Sequence, residues 1–329
     1  MESKYLKISI SIFIFILLCF FLNIFDISST YDYLNYSEWF SNISNNLSNY
    51  YIYKDPFFYL ISKVVLFVDG GVNNVLLTLV LISIFCKLWF AYKLPVNIFF
   101  IFLWLYFCRL FFIHDLIQFR IAVGTGFGLL FFINYIDDNK GRAFIFILLA
   151  LSIHLSTLLY LIVVPLYKFV NKNTISKKAI FLVVASFFIS IYLGGNNIGL
   201  IAIFKSIPIL YSRMAPYIDG SYAYTTLSLV NGYLYIKITF YIMFVAMFIY
   251  NKKNIDTYFY LLFLISIVNT DLFLIFRWND SIALRISDAL SVFDLLFISF
   301  FLNKYRDKLL ITMIIFIVGL IMLHSSVKV

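Results

Sequence analysis

The residues able to do chemistry are few, and Arg120 most needs an account. It stands in His114-Asp115-Leu116-Ile117-Gln118-Phe119-Arg120-Ile121-Ala122-Val123-Gly124-Thr125-Gly126-Phe127-Gly128, at the head of an apolar segment that runs to Ile136. A guanidinium at bilayer depth costs roughly 2.5–3.5 kcal/mol on insertion scales, so it must have a compensating partner. Gly124 and Gly128 follow one and two helical turns later on nearly the same face, which leaves a groove without side chains beneath the cation. Two occupants suit that groove. A neighbouring helix is one, because Gly-x-x-x-Gly is a packing pattern. The other is an anionic lipid-linked substrate, its phosphates on Arg120 and its chain along the glycines.

Arg109, Arg213, Arg277 and Arg285 join Arg120 on the outer side in the topology set by the loop charges, against the rule that cationic residues collect on the cytoplasmic side. An arginine presents a planar fork that binds phosphate oxygens bidentately and never loses its proton, so the set reads as a cradle for a di-anion or pyrophosphate. Ordinary salt bridges are the alternative: Arg285 with Asp288, Arg277 with Asp280, Arg109 with Asp115. Asp271, Asp288 and Asp294 are further intramembrane carboxylates, and partnering the arginines is an adequate role for them. His154 lies in an apolar run over residues 143–167 and can exchange a proton near neutral pH, which suits a general base; a histidine that merely hydrogen-bonds a carbonyl is the plainer reading. Gly124-Thr125-Gly126-Phe127-Gly128 follows no strand and is no nucleotide fingerprint, and neither Gly-x-Ser-x-Gly nor His-Glu-x-x-His occurs. No metal site is indicated.

The elements that must position these groups are membrane spans. With 63% hydrophobic residues, 12% charged residues and a mean hydropathy of +0.97, the chain falls in the polytopic membrane class, and residues 1–329 read as a single integral membrane domain. The net charge of +9 is divided among short loops and forms no stripe, which excludes a nucleic-acid partner. Cys19, Cys86 and Cys108 lie inside apolar runs and read as small hydrophobes. Lys4 and Lys7 before the first apolar run, residues 8–25, set the N-terminus in the cytoplasm. Residues 26–71 then form a first external loop whose tyrosines and Trp39 suit an interfacial belt or a sugar-stacking surface, with a short interfacial segment over 56–68. Spans over 75–92, 96–113 and 116–136 place the His114-Asp115 turn on the outer side. As one span, residues 143–167 would leave Lys168, Lys172, Lys177 and Lys178 outside. Two half-length helices meeting near Ser152-Ile153-His154 return those lysines to the cytoplasm, with His154 at the tip of the pair. Spans over 179–193, 233–250, 258–276, 281–302 and 309–324 follow, and residues 194–232 form a large external loop of the kind that carries binding work. The expected fold is all-α, with about ten or eleven transmembrane or half-membrane helices.

Four elements in this order resemble the EpsG family of Wzy-type polysaccharide polymerases: Asp32-Tyr33, Asp55-Pro56-Phe57-Phe58-Tyr59-Leu60, Gln118-Phe119-Arg120-Ile121-Ala122, and Ala150-Leu151-Ser152-Ile153-His154-Leu155-Ser156-Thr157-Leu158. The similarity spans roughly residues 26–300. It implies a GT-C-like bundle in the bacterial inner membrane, with its active site facing the periplasm. It further implies a glycosyltransferase that polymerises O-antigen or capsule repeats carried on undecaprenyl pyrophosphate. Donor and acceptor glycans would both be lipid-linked, the bilayer would be a partner, and a chain-length regulator and flippase of the same pathway would be others. No cofactor and no nucleotide sugar is implied, because the leaving group is already activated. On this reading Arg120 and Arg285, then Arg277, Arg213 and Arg109, hold pyrophosphate, and His154, Asp32 or Asp55 takes the acceptor proton; this sequence has Asp55 where the family pattern leads one to expect Glu. A flippase for the same lipids, a glycan ligase or a membrane acyltransferase would share several of these features.

Overall fold

The computed structural model describes residues 2–30, 32–45, 55–172, 177–195, 201–202, 205–206, 211, 215, 232–250, 256–304 and 316–321. Every regular element among them is helical, as expected for a chain that must satisfy its own backbone in lipid. Among the described residues, five helices are long and apolar enough to cross a membrane, and five shorter apolar helices accompany them.

The first helices follow from local signals. α1 is Glu2–Ile24. The Asp26 carboxylate accepts from the Ser28 N–H at 3.0 Å and caps a single 3₁₀ turn, Ile27–Ser29, that redirects the chain. α2, Tyr33–Ser44, is a helix inside the stretch read as a tyrosine-rich loop. Pro56 opens α3, Pro56–Phe67, where its fixed φ and missing N–H suit the first turn. α4, Val72–Lys93, stops at Leu94-Pro95, and Lys7 from α1 donates to its last carbonyls, Tyr92 O at 2.6 Å and Leu94 O at 2.9 Å, satisfying acceptors the helix cannot.

α5, Val96–Cys108, ends five residues earlier than its apolar run, and a π-helical turn, Phe111–Asp115, replaces the expected continuation. The turn expected on the outer side is buried: His114 and Asp115 are both 0% exposed. The cause is an ion pair. Asp115 accepts from Lys87 Nζ at 2.8 Å, Ser83 Oγ at 2.6 Å and Tyr106 Oη at 2.6 Å, and Ser83 lies midway along α4. The alternative pairing of Asp115 with Arg109 gives way to Lys87.

α6, Phe119–Ile136, is the centre of the first compact unit, residues 1–161 and 302–329. Its span is 83% buried, against 11% for α1, so α6 is enclosed by protein while α1 keeps a lipid-type surface. Glycine makes the enclosure possible. A Cβ on Gly126 would stand 2.9 Å from Cys86 Cβ of α4, one on Gly124 would stand 2.6 Å from Thr157 Cγ2, and one on Gly128 would stand 2.5 Å from the Tyr160 ring. The groove beneath Arg120 is therefore filled by the protein's own chain, at Thr157 and Tyr160, and not by the chain of a lipid as the other expectation had it. α4 and α6 run parallel, with Lys93 near Asp137 at 3.6 Å.

The apolar run at 143–167 breaks at His154. α7, Lys140–Ile153, climbs along α6 to Gly124; His154 is extended at φ −156° and ψ 125°; a 3₁₀ segment, Leu155–Ile162, then descends, since Tyr160 faces Gly128 one turn lower. This is the paired arrangement expected from the lysines.

The second unit, residues 162–301, contains α8 (Val163–Lys172), α9 (Lys177–Gly195), α10 (Gly232–Tyr250), α11 (Thr257–Phe276) and most of α12 (Asp280–Lys304). Gly194 lets α9 meet α11 backbone to backbone, because a Cβ there would fall 1.9 Å from the Leu274 carbonyl. Asp294 pairs with Lys237 at 3.0 Å and accepts from Ser266 and Asn269, so this intramembrane acid serves a lysine. Of the last expected span, 309–324, residues 316–321 are described and helical, with Gly319 against Trp104 of α5.

Candidate functional site

Arg120 begins the second position of α6, and its partner is Asp55, the residue before α3. Nη1 donates to Asp55 Oδ2 at 2.5 Å; the Asp55 side chain is 6% exposed and that of Arg120 18%. A carboxylate this close offsets part of the cost of a cation at that depth, and removing either partner would leave an uncompensated buried charge. α2 supplies the rest of the enclosure. Trp39 lies under the guanidinium at 4.3 Å and Tyr36 at 5.6 Å, distances at which an aromatic face attracts a cation. The spacing of Tyr36 and Trp39, three residues on a helix, puts both on one face. That face is held by edge contacts with Phe58 of α3 and Phe119 of α6. Burial pushes the Tyr36 phenol above its ordinary value against the pull of Arg120, so it stays protonated. Asp32, just before α2, adds its negative field to Arg120.

His154 stands beside the same helix: its Cβ would be 3.8 Å from a Cβ on Gly124, one turn below Arg120. Its Nδ1 accepts the Ser156 N–H at 3.2 Å and contacts Ser156 Oγ at 2.7 Å. Accepting a backbone N–H assigns the neutral ring's proton to Nε2 and makes the imidazole an N-cap for the 3₁₀ segment. The break that sequence reasoning placed at His154 is thus closed by His154 itself.

Arg120, Asp55, Asp32 and His154 are therefore gathered on the first unit. Arg109, at the C-cap of α5, lies on the same unit, where its charge reaches His114. Arg277 and Arg285 lie on the second unit. Arg285 is exposed on α12, and Arg277 ends α11 with Nη2 3.5 Å from where a Cβ on Gly195 would be; its Nε is buried without a hydrogen-bond partner among the described residues. Arg213 lies outside the described residues. Among those residues no group of three or more His, Cys, Asp or Glu could hold a metal.

Sequence reasoning missed two features. Trp39 and Tyr36 stood among many loop aromatics, and only their helical spacing could have singled them out. Lys87 carried one signal, a lone charge inside an apolar run, which in a membrane chain calls for a named partner.

The arrangement is an arginine on a helix start, neutralised by a carboxylate from another element and backed by an aromatic face, with a histidine-tipped helix break one turn below. Such a cation can exchange its internal carboxylate for a phosphate oxygen of a ligand, and the released carboxylate can accept a proton. None of the curated proteins and none of the solved structures matches the chain. A family model does match, that of the EpsG family, over residues 7–329. This family is of Wzy-polymerase-like type, which supports a membrane glycan polymerase-like role in polysaccharide biosynthesis. With nearly the whole chain covered, the protein belongs to the EpsG family.

Proposed function

We propose that this chain joins oligosaccharide repeats carried on undecaprenyl pyrophosphate into O-antigen or capsular polysaccharide, at the periplasmic face of the inner membrane. The observation that carries the reading is Arg120, a permanent cation in a membrane helix whose ion-pair partner among the described residues, Asp55, stands at the start of a separate short helix. In the reaction the acceptor hydroxyl attacks the anomeric carbon of the donor glycan. The bond from that carbon to the phosphate oxygen breaks, and lipid pyrophosphate leaves with the electron pair. Arg120 stabilises the charge that grows on the leaving pyrophosphate, the type of interaction that lowers such a barrier most. Asp55, freed when phosphate takes its place on Arg120, receives the acceptor proton, with Asp32 as the second carboxylate at the site. His154 holds the helix break that sets the floor of the site. Arg277 and Arg285, on the second unit, are assigned to pyrophosphate by the resemblance and are part of the proposal.

Proteoliposomes holding the purified chain and lipid-linked repeats, with no nucleotide sugar, should yield a ladder of multiples of the repeat. Arg120→Ala should stop the product at a single repeat while still inserting. A parental protein that moves lipid-linked repeats across the bilayer and makes no ladder would favour the flippase reading instead.

A further inference from the structure

The residues just ahead of Arg120 combine three costly features. The chain between α5 and α6 contains a π-helical turn, Phe111–Asp115, a geometry seen mostly as single turns and frequently at functional sites. Asp115 and Lys87 are 0% and 1% exposed, and a buried ion pair of this kind is commonly no more stable than apolar residues of the same shape. His114, 0% exposed, has neither ring nitrogen hydrogen-bonded among the described residues, which leaves buried polar atoms unsatisfied. Stability alone would select against all three. Position accounts for the turn and the ion pair. Asp115 is tied to α4 by Ser83 and Lys87 and to α5 by Tyr106, and α6 begins four residues later with Phe119 and Arg120. Gly126 then presses α6 onto Ser83 and Cys86, so α4 holds both the turn before Arg120 and the helix after it.

We propose that Asp115, clamped by Lys87, is a positioning residue that sets Arg120 over Trp39 and beside Asp55; its bearing on catalysis rests on the function proposed above. The carboxylate fixes where the π-helical turn ends, and thereby the height and rotation at which α6 starts. A shift of about 1 Å there would be felt as up to about 10²-fold in rate, the usual penalty for a misplaced group.

The test reads the place of Arg120 directly. In a background with Trp89, Trp104 and Trp278 changed to Phe, and with excitation at the red edge of indole absorption where tyrosine does not absorb, Trp39 alone emits, and its face is covered by the guanidinium. Arg120→Ala in that background gives the emission of an uncovered indole. The double variant Lys87→Met/Asp115→Leu removes both charges together and keeps the volume, and Asp115→Glu keeps the charge but lengthens the tie by one methylene. Both should fold with Trp39 emission moved toward that of Arg120→Ala. With parental tryptophans restored, kcat should fall about 10- to 100-fold. A purely stabilising pair would change the melting temperature and leave Trp39 emission at the parental value; that result in both variants overturns the proposal. Where the double variant does not fold, Asp115→Glu decides by the same comparison. The emission arm needs no catalysis, so a parental protein that makes no polymer would count against the function alone.

Discussion

At the scale of single residues, the site turns on which group can release what it holds. Arg120 engages Asp55 through Nη1, with Nε buried behind it, so an incoming phosphate must compete with one carboxylate. Arg120→Lys keeps a charge for Asp55 but loses the fork; polymer made by membranes with matched protein levels should collapse to single repeats. Normal chain length from that variant would reduce Arg120 to a structural ion pair. His154 and Asp55 make opposite forecasts as bases. Asn at 154 can accept the Ser156 N–H as Nδ1 does, so His154→Asn should keep the rate within about threefold, whereas Asp55→Asn should lose about 10²–10⁴-fold, the scale of a missing general base. A large loss from His154→Asn in a protein that still folds would return the base to the histidine. Asp55→Asn also leaves a buried guanidinium without its anion, a loss of about 3 kcal/mol or more, so its melting temperature must be followed beside the rate.

At the scale of elements, the broken helix and its glycine seat form one device. Gly128 meets the Tyr160 ring and Gly124 meets Thr157, so Gly128→Ala should cost about 1–3 kcal/mol by overpacking, read as a lowered melting temperature, while Gly141→Ala, where nothing lies within 4 Å, should not. The hairpin at His154 sends the chain back along α6, so its two flanks should face one side. In a variant lacking Cys19, Cys86 and Cys108, cysteines at Asn139 and Lys168 should label from the cytoplasm and one at Asp69 from the opposite face; opposite labelling of 139 and 168 would break the topology. This break was legible from four lysines that no uninterrupted span could leave on the right side. The π-helical turn was not, because residues 98–108 and 110–113 are apolar on both sides of Arg109, and periodicity is silent on where such a run stops being α-helical. Its cause, Lys87 reaching Asp115, joins residues far apart in sequence. α2 was hidden for another reason: its tyrosines, asparagines and serines match a loop composition, and its helical state comes from packing Tyr36 and Ile43 inward.

At the scale of the molecule, composition alone settled the all-α membrane class, and the order of short motifs carried the resemblance that the family match over residues 7–329 bears out. The pairing of Arg120 was legible only in part. Its cost demands a partner and Asp55 stands in one of the four family-like elements, yet nothing in one chain links position 55 to position 120 before folding does. On the function proposed above, the energy for each new glycosidic bond comes from a lipid pyrophosphate ester and not from a nucleotide. The direct measurement is the stoichiometry of release: purified protein in proteoliposomes, supplied only with lipid-linked repeats, should free one undecaprenyl pyrophosphate for every bond formed, and Arg120→Lys should abolish release and bond formation together. Glycan elongation without released lipid pyrophosphate, or elongation that starts only when a nucleotide sugar is added, would contradict the account.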